Sequence, residues 1–124
     1  MSELIGVVTA HGALAEAMVR AAESISGVTG VLTPISNTDC DRGKLEERIR
    51  TAIGGRPGVV FVDMPSGSCL FAAMSSLKVE ANVRIVTGVN LAMLLDFIFH
   101  REGTPDAAVE RALAAGIKAI KVPG

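Results

Sequence analysis

Histidine is scarce in this chain, which has only His11 and His100. His11 stands in Val7-Val8-Thr9-Ala10-His11-Gly12, where an apolar run gives way to a glycine and then an Ala-rich helical pattern. That order puts an imidazole on the turn between a first strand and a first helix. In an open α/β sheet such turns, at the carboxyl ends of strands, are where sites form. A second such end is Gly58-Val59-Val60-Phe61-Val62, closed by Asp63. A carboxylate beside an imidazole accepts a hydrogen from one ring nitrogen, fixes the tautomer and leaves the other nitrogen as a nucleophile. Next comes Ser66-Gly67-Ser68, small residues at the expected start of a helix. The backbone N–H groups of such an end bind anions, phosphate especially. An imidazole, an orienting carboxylate and a phosphate cradle together suggest a histidine that carries a phosphoryl group. The sequence has neither a Walker A motif nor GxGxxG, which argues against ATP or NAD held by the usual loops. No cofactor and no metal are expected.

Other residues have structural readings. Ser68 also fits a helix N-cap. Cys69 could be a thiolate activated at a helix N-terminus beside His11. However, position 75 is serine rather than the arginine a phosphatase loop wants, so a small buried residue is the preferred reading. His100 ends a helix, where a cation suits the macrodipole. Asn90 reads as a cap near the same crevice.

The elements that must position these groups follow from periodicity. Leu4 to Val8 is a strand buried on both faces. Ala13 to Ile25 repeats at helical spacing, with Leu14, Ala17, Met18, Ala21 and Ile25 as the expected inward stripe. Val28 to Ile35 reads as a second strand, and Pro34 suggests an edge position or a strand end. Asp41 caps a helix from Arg42 to Ile53, ended by Gly54-Gly55 and Pro57. Gly58 to Val62 is the clearest strand. A helix from Cys69 to Leu77 and a strand from Asn82 to Thr87 follow. The apolar helix Leu91 to Phe99 is too uniformly hydrophobic for one buried face, so part of it is expected at a subunit interface. Thr104-Pro105 starts the last helix. Gly116 is read as its end, and Ile117 to Val122 as a short fifth strand.

The alternation predicts an α/β fold, a doubly wound, mainly parallel sheet of order 2-1-3-4 with helices on both faces. That order places His11 and Asp63 across the switch point from each other. Residues 1–124 are expected to form one domain. With 124 residues and a formal net charge of -1, the chain can bury a real core but lacks a basic footprint for nucleic acid. Cys40 and Cys69 fit no paired zinc or redox spacing. No signal peptide is evident and no run is long enough to span a bilayer, so a cytoplasmic protein is expected.

Several segments, in order and at this spacing, resemble the IIA component of the mannose-type (mannose/fructose/sorbose) sugar phosphotransferase system. They are Val7 to Gly12, Phe61-Val62-Asp63 with Ser66-Gly67-Ser68, Ala72-Ala73, and Thr87-Gly88-Val89-Asn90-Leu91-Ala92-Met93-Leu94. The resemblance implies a cytoplasmic phosphocarrier whose histidine, matching His11, receives a phosphoryl group from HPr and passes it to a IIB component. It matches Asp63 to the family's aspartate and Ser68 to its phosphate-contacting serine. It also implies a homodimer in which a C-terminal strand crosses between subunits, with membrane contact only through IIC and IID components. The usual Gly-Gly-Ser-Pro reads Ser66-Gly67-Ser68-Cys69 here, and a Trp often found ahead of it is replaced by Pro65. Two alternatives stand beside this reading. One is a regulatory phospho-switch that binds a partner protein without sugar transport. The other is the phosphotransfer subunit of a dihydroxyacetone kinase-like system.

Overall fold

The computed structural model describes residues 3–78, 80 and 82–124. Four parallel strands form one sheet in the order β2-β1-β3-β4: β1 (Ile5–Ala10), β2 (Leu32–Ser36), β3 (Gly58–Val62) and β4 (Val83–Thr87). Among the described residues five helices surround it: α1 (Leu14–Ser26), α2 (Arg42–Ile53), α3 (Ser68–Ser76), α4 (Leu91–Phe99) and α5 (Pro105–Lys118).

Successive residues of a strand point to opposite faces, and the core divides accordingly. Val8, Ala10, Val59 and Phe61 pack with α1, α4 and α5. Val7, Val60 and Val62 pack with α2 and α3 on the other face. All five residues of β3 are buried, as a central strand covered by two helical layers requires. Phe61 and Phe97 meet edge to face at 5.3 Å, joining β3 to α4. The opposite edge is β2, where Pro34 pairs in register with Val8.

Capping side chains start three helices where the sequence indicates. Asp41 accepts a hydrogen bond from the Lys44 N–H, Asn90 from Met93, and Thr104 from Ala107 ahead of a proline-led turn.

Three expectations are corrected. First, the inward stripe of α1 is Ala15, Val19 and Ala22, while Leu14 and Ile25 are exposed. Alanines bring the helix axis close to the sheet, and the larger residues at its two ends fall outside the contact. Second, Gly116 does not end the last helix, and the fifth strand is absent. α5 runs through to Lys118, and residues 119–124 form no strand. Gly116 is there for close approach. A Cβ at that position would lie 2.5 Å from Met93 Cγ on α4. Third, α3 begins at Ser68 with Gly67 in the cap position, so Ser68 is the first helical residue and not the N-cap.

The apolar α4 is largely absorbed within the chain. Met93, Leu94, Phe97 and Ile98 are buried, and Phe99 stays exposed. Among the described residues no helix is long and apolar enough to cross a membrane.

Candidate functional site

β1 and β3 are neighbours whose connections leave in opposite directions, to β2 and to β4. The topological switch point therefore lies beyond their carboxyl ends, the place where sites form in open α/β sheets. His11 follows β1, and Asp63 follows β3. The structure brings them together. Nδ1 of His11 lies 2.8 Å from Oδ2 of Asp63, and the backbone N–H of His11 donates to the same oxygen at 3.0 Å. The His11 carbonyl in turn accepts from the Leu14 N–H, the first turn leading into α1. Ring and backbone of one residue are thus fixed by one carboxylate oxygen.

The asymmetry of exposure matters. The His11 side chain is 42% exposed and that of Asp63 is 8% exposed. The carboxylate is sheltered while the imidazole faces solvent. An ionised carboxylate only accepts hydrogen bonds, so in the neutral ring Nδ1 carries the hydrogen and Nε2 presents its lone pair. Burial is the largest influence on the Asp63 carboxyl and pushes its pKa up. The His11 ring bond, the His11 backbone bond and the ring's charge together outweigh it, and the net value falls below the ordinary 3.8.

Gly67 faces the free nitrogen. Its φ of +92° and ψ of -176° belong to a region that is essentially glycine's alone. A Cβ there would sit 3.6 Å from both Nε2 and Cε1 of His11. A missing side chain therefore leaves room beside Nε2, at the N-terminus of α3. Ser68 is exposed at that terminus, and its Oγ accepts from the Asn37 side chain at 3.4 Å. Ser66 is exposed on the same loop. Among the described residues no hydrogen bond joins either serine directly to His11.

Cys69 is fully buried in the first turn of α3, with Sγ 3.9 Å from His11 Nδ1. Burial first, and then the charge of Asp63, push its thiol up to about 11. This is the opposite of an activated thiolate, in keeping with the buried reading. His100 lies away from the site as the C-cap of α4, its Nδ1 2.9 Å from the Asp96 carbonyl.

Two contributors to the site escape a reading of the sequence. Asn37 Oδ1 accepts from the Gly12 N–H at 3.1 Å while its amide donates to Ser68, tying the loops after β1, β2 and β3 together. Ser36 donates to the Gly12 carbonyl at 2.7 Å. Both sit in a run of ordinary polar loop composition, and no spacing marks them.

Residues 6–113 match the family described as the PTS system fructose IIA component. The chain belongs to that family. As a IIA component it is a phosphocarrier of a sugar phosphotransferase system. Solved structures show the same fold at low identity. The EIIA component from Streptococcus agalactiae has a TM-score of 0.89 at 15% identity, covering 96% of each chain. The mannose/sorbose-specific IIA subunit from Enterococcus faecalis has a TM-score of 0.86 at 18% identity, covering 99% of this chain and 96% of that one. The IIA protein associated with the fucose utilization operon of Streptococcus pneumoniae has 0.79 at 20%, covering 98% and 96%. No curated protein matches the chain.

Proposed function

We propose that His11 is the residue that carries the phosphoryl group, taking it from HPr on Nε2 and passing it to a IIB component in the cytoplasm. The observation that carries this reading is the 2.8 Å contact between Nδ1 and Asp63, which leaves Nε2 as the free nitrogen of a ring that is partly open to solvent. In the transfer, the bond from Nε2 to phosphorus forms as the donor's phosphorus–nitrogen bond breaks. The imidazole gains positive charge, and Asp63 stabilises it across the Nδ1–H bond. Asp63 is a positioning residue and never touches phosphorus. Gly67 supplies room for the phosphoryl oxygens, and Ser68, Ser66 and the first N–H groups of α3 form their cradle. Catalysis of this kind is mostly positioning and electrostatic support of an in-line displacement.

Partner docking has support in exposed apolar side chains on the loop and helix that follow β3. Met64 stands on the loop after β3, and Phe71 and Met74 on α3. A homodimer is part of the same reading, supported by exposed Phe99, Ile117, Ile120 and Val122 on α4, α5 and the C-terminal segment.

Incubation with enzyme I, HPr and phosphoenolpyruvate is expected to give an acid-labile, alkali-stable phosphoryl adduct on the chain. His11→Ala is expected to abolish it. An adduct that persists in His11→Ala would refute the assignment.

A further inference from the structure

The phosphocarrier reading leaves one group at the site unused. Cys69 Sγ approaches the same ring nitrogen that Asp63 holds, at 3.9 Å. One ligand atom from each of His11, Asp63 and Cys69 can be chosen so that all lie within 4.8 Å of one another. A second observation is independent of that clustering. The Asp63 side chain is more than nine-tenths buried, and its Oδ1 is a buried acceptor with no hydrogen-bond partner. A buried carboxylate oxygen without a donor is costly, and a positive centre beside it would meet the deficit.

We propose that His11 Nδ1, a carboxylate oxygen of Asp63 and Cys69 Sγ bind a thiophilic divalent cation of the Zn²⁺ class, and that the bound ion excludes phosphorylation of His11. The first half stands on the geometry, and the second rests on the phosphocarrier reading above.

The distances suit such an ion. Zn–N and Zn–O bonds of about 2.0–2.2 Å and a Zn–S bond of about 2.3 Å put tetrahedral N and S ligands roughly 3.5 Å apart, and N and O ligands roughly 3.4 Å apart. The separations here are 3.9 Å for Nδ1 to Sγ and 2.8 Å for Nδ1 to Oδ2. Shifts of about 0.5 Å in side-chain atoms bring these two pairs to the required spacing, and the oxygen–sulfur pair, within 4.8 Å here, must close to roughly 3.6 Å. Three protein ligands leave a fourth position for water. A thiolate, an imidazole and a carboxylate are a donor set that zinc takes readily.

The proton balance links the ion to the phosphoryl group. On binding, the thiol proton leaves to solvent and the sulfur bonds the metal as thiolate. The imidazole stays neutral, but its hydrogen moves from Nδ1 to Nε2 as Nδ1 bonds the metal. No group is oxidised or reduced. With hydrogen on Nε2, that nitrogen has no lone pair with which to attack phosphorus. Conversely, a phosphorylated ring keeps its Nδ1–H directed at Asp63 and offers the ion no nitrogen. Each occupant excludes the other, as reciprocal linkage demands. Net release of a proton also makes the ion bind more tightly as pH rises.

Co²⁺ added to the metal-stripped full chain tests the centre. One equivalent is expected to bind with a thiolate-to-cobalt charge-transfer band and the visible bands of a tetrahedral ion, and Zn²⁺ should bleach them. Cys69→Ser and Cys69→Ala are expected to lose the charge-transfer band and to bind about tenfold more weakly or worse. Cys40→Ser is expected to keep both. In the second arm, purified phosphorylated HPr is the donor and each variant is compared with itself, with and without Zn²⁺. Zn²⁺ should slow phosphorylation of the unaltered chain, and the Cys69 variants should need about tenfold more for the same slowing. Absence of the band in the unaltered chain, or its survival in both Cys69 variants, overturns the metal centre. A band without inhibition overturns the exclusion. If the metal-free chain takes up no phosphoryl group, the phosphocarrier reading of His11 fails, and the band alone still decides the centre.

Discussion

Asp63→Asn isolates the charge that holds the histidine. The substitution preserves shape and leaves one amide oxygen to accept from the His11 backbone N–H. It removes the carboxylate that accepts both from that N–H at 3.0 Å and from the ring at 2.8 Å. Hydrogen bonds to a charged group contribute about 1.5–3 kcal/mol each, and a neutral one about 1. Two charged bonds becoming at best one or two neutral ones costs about 1–5 kcal/mol at neutral pH. For a chain of this length that corresponds to a fall in Tm of about 4 °C per kcal/mol. The rate of phosphorylation should fall by about two to four orders of magnitude. The amide no longer selects the Nδ1–H tautomer or stabilises the charged ring. The sign of the pH effect follows from the folded-state shift. The Asp63 carboxyl titrates below its ordinary value in the folded chain. Its stabilisation is therefore fully present above the unfolded value of about 3.9 and disappears as pH falls through the lower folded value. The Tm gap between the unaltered chain and Asp63→Asn should be wide near neutrality and close in that acid window. Thermal melts across pH and single-turnover transfer from phosphorylated HPr measure both. Transfer at the unaltered rate, or a Tm gap that is the same at about pH 7 and about pH 3, would refute the reasoning.

Two further substitutions test the surrounding frame. Gly67→Ala forces a side chain into backbone that favours glycine and puts a methyl 3.6 Å from Nε2, so stability should fall by about 1–3 kcal/mol and phosphoryl transfer should slow. Chemical denaturation and the transfer assay report the two effects separately, and a variant unaltered in both would contradict the crowding argument. Asn90→Ala removes both the cap on the Met93 N–H and the bond to the Gly116 carbonyl, each 3.1 Å long. A loss of about 1–3 kcal/mol in urea unfolding is expected, with transfer per folded molecule unchanged.

Much of the frame could be read from residue order because capping and breaking residues act locally. Asp41 and Gly54 bound α2 at the residues the pattern assigns. The strand ends carrying His11 and Asp63 were legible for the same reason; alternation gave the parallel sheet, and the order 2-1-3-4 is the one such units commonly adopt. Features that depend on how closely two elements approach were not legible. α1 buries alanines where periodicity favours its larger side chains, because proximity to the sheet decides the face. Gly116 looks like a breaker in one dimension, whereas in three it is a contact surface for Met93. The end of β2 and the polar loop after it contribute Ser36 and Asn37 to the site only because the sheet order lays them beside Gly12 and Ser68.

Pro34 has a consequence for assembly. It lies mid-strand on β2, the outer strand beside β1, and is exposed. The Gly6 N–H donates inward to the Val31 carbonyl, so by parallel alternation the even-numbered positions of β2 turn their amide nitrogens away from β1. At position 34 that outward nitrogen has no hydrogen to offer. An incoming strand would meet a missing donor in the middle of this edge and could not complete a ladder. The sheet can therefore be extended along β4 alone, and two copies joining strand to strand have one side available to them.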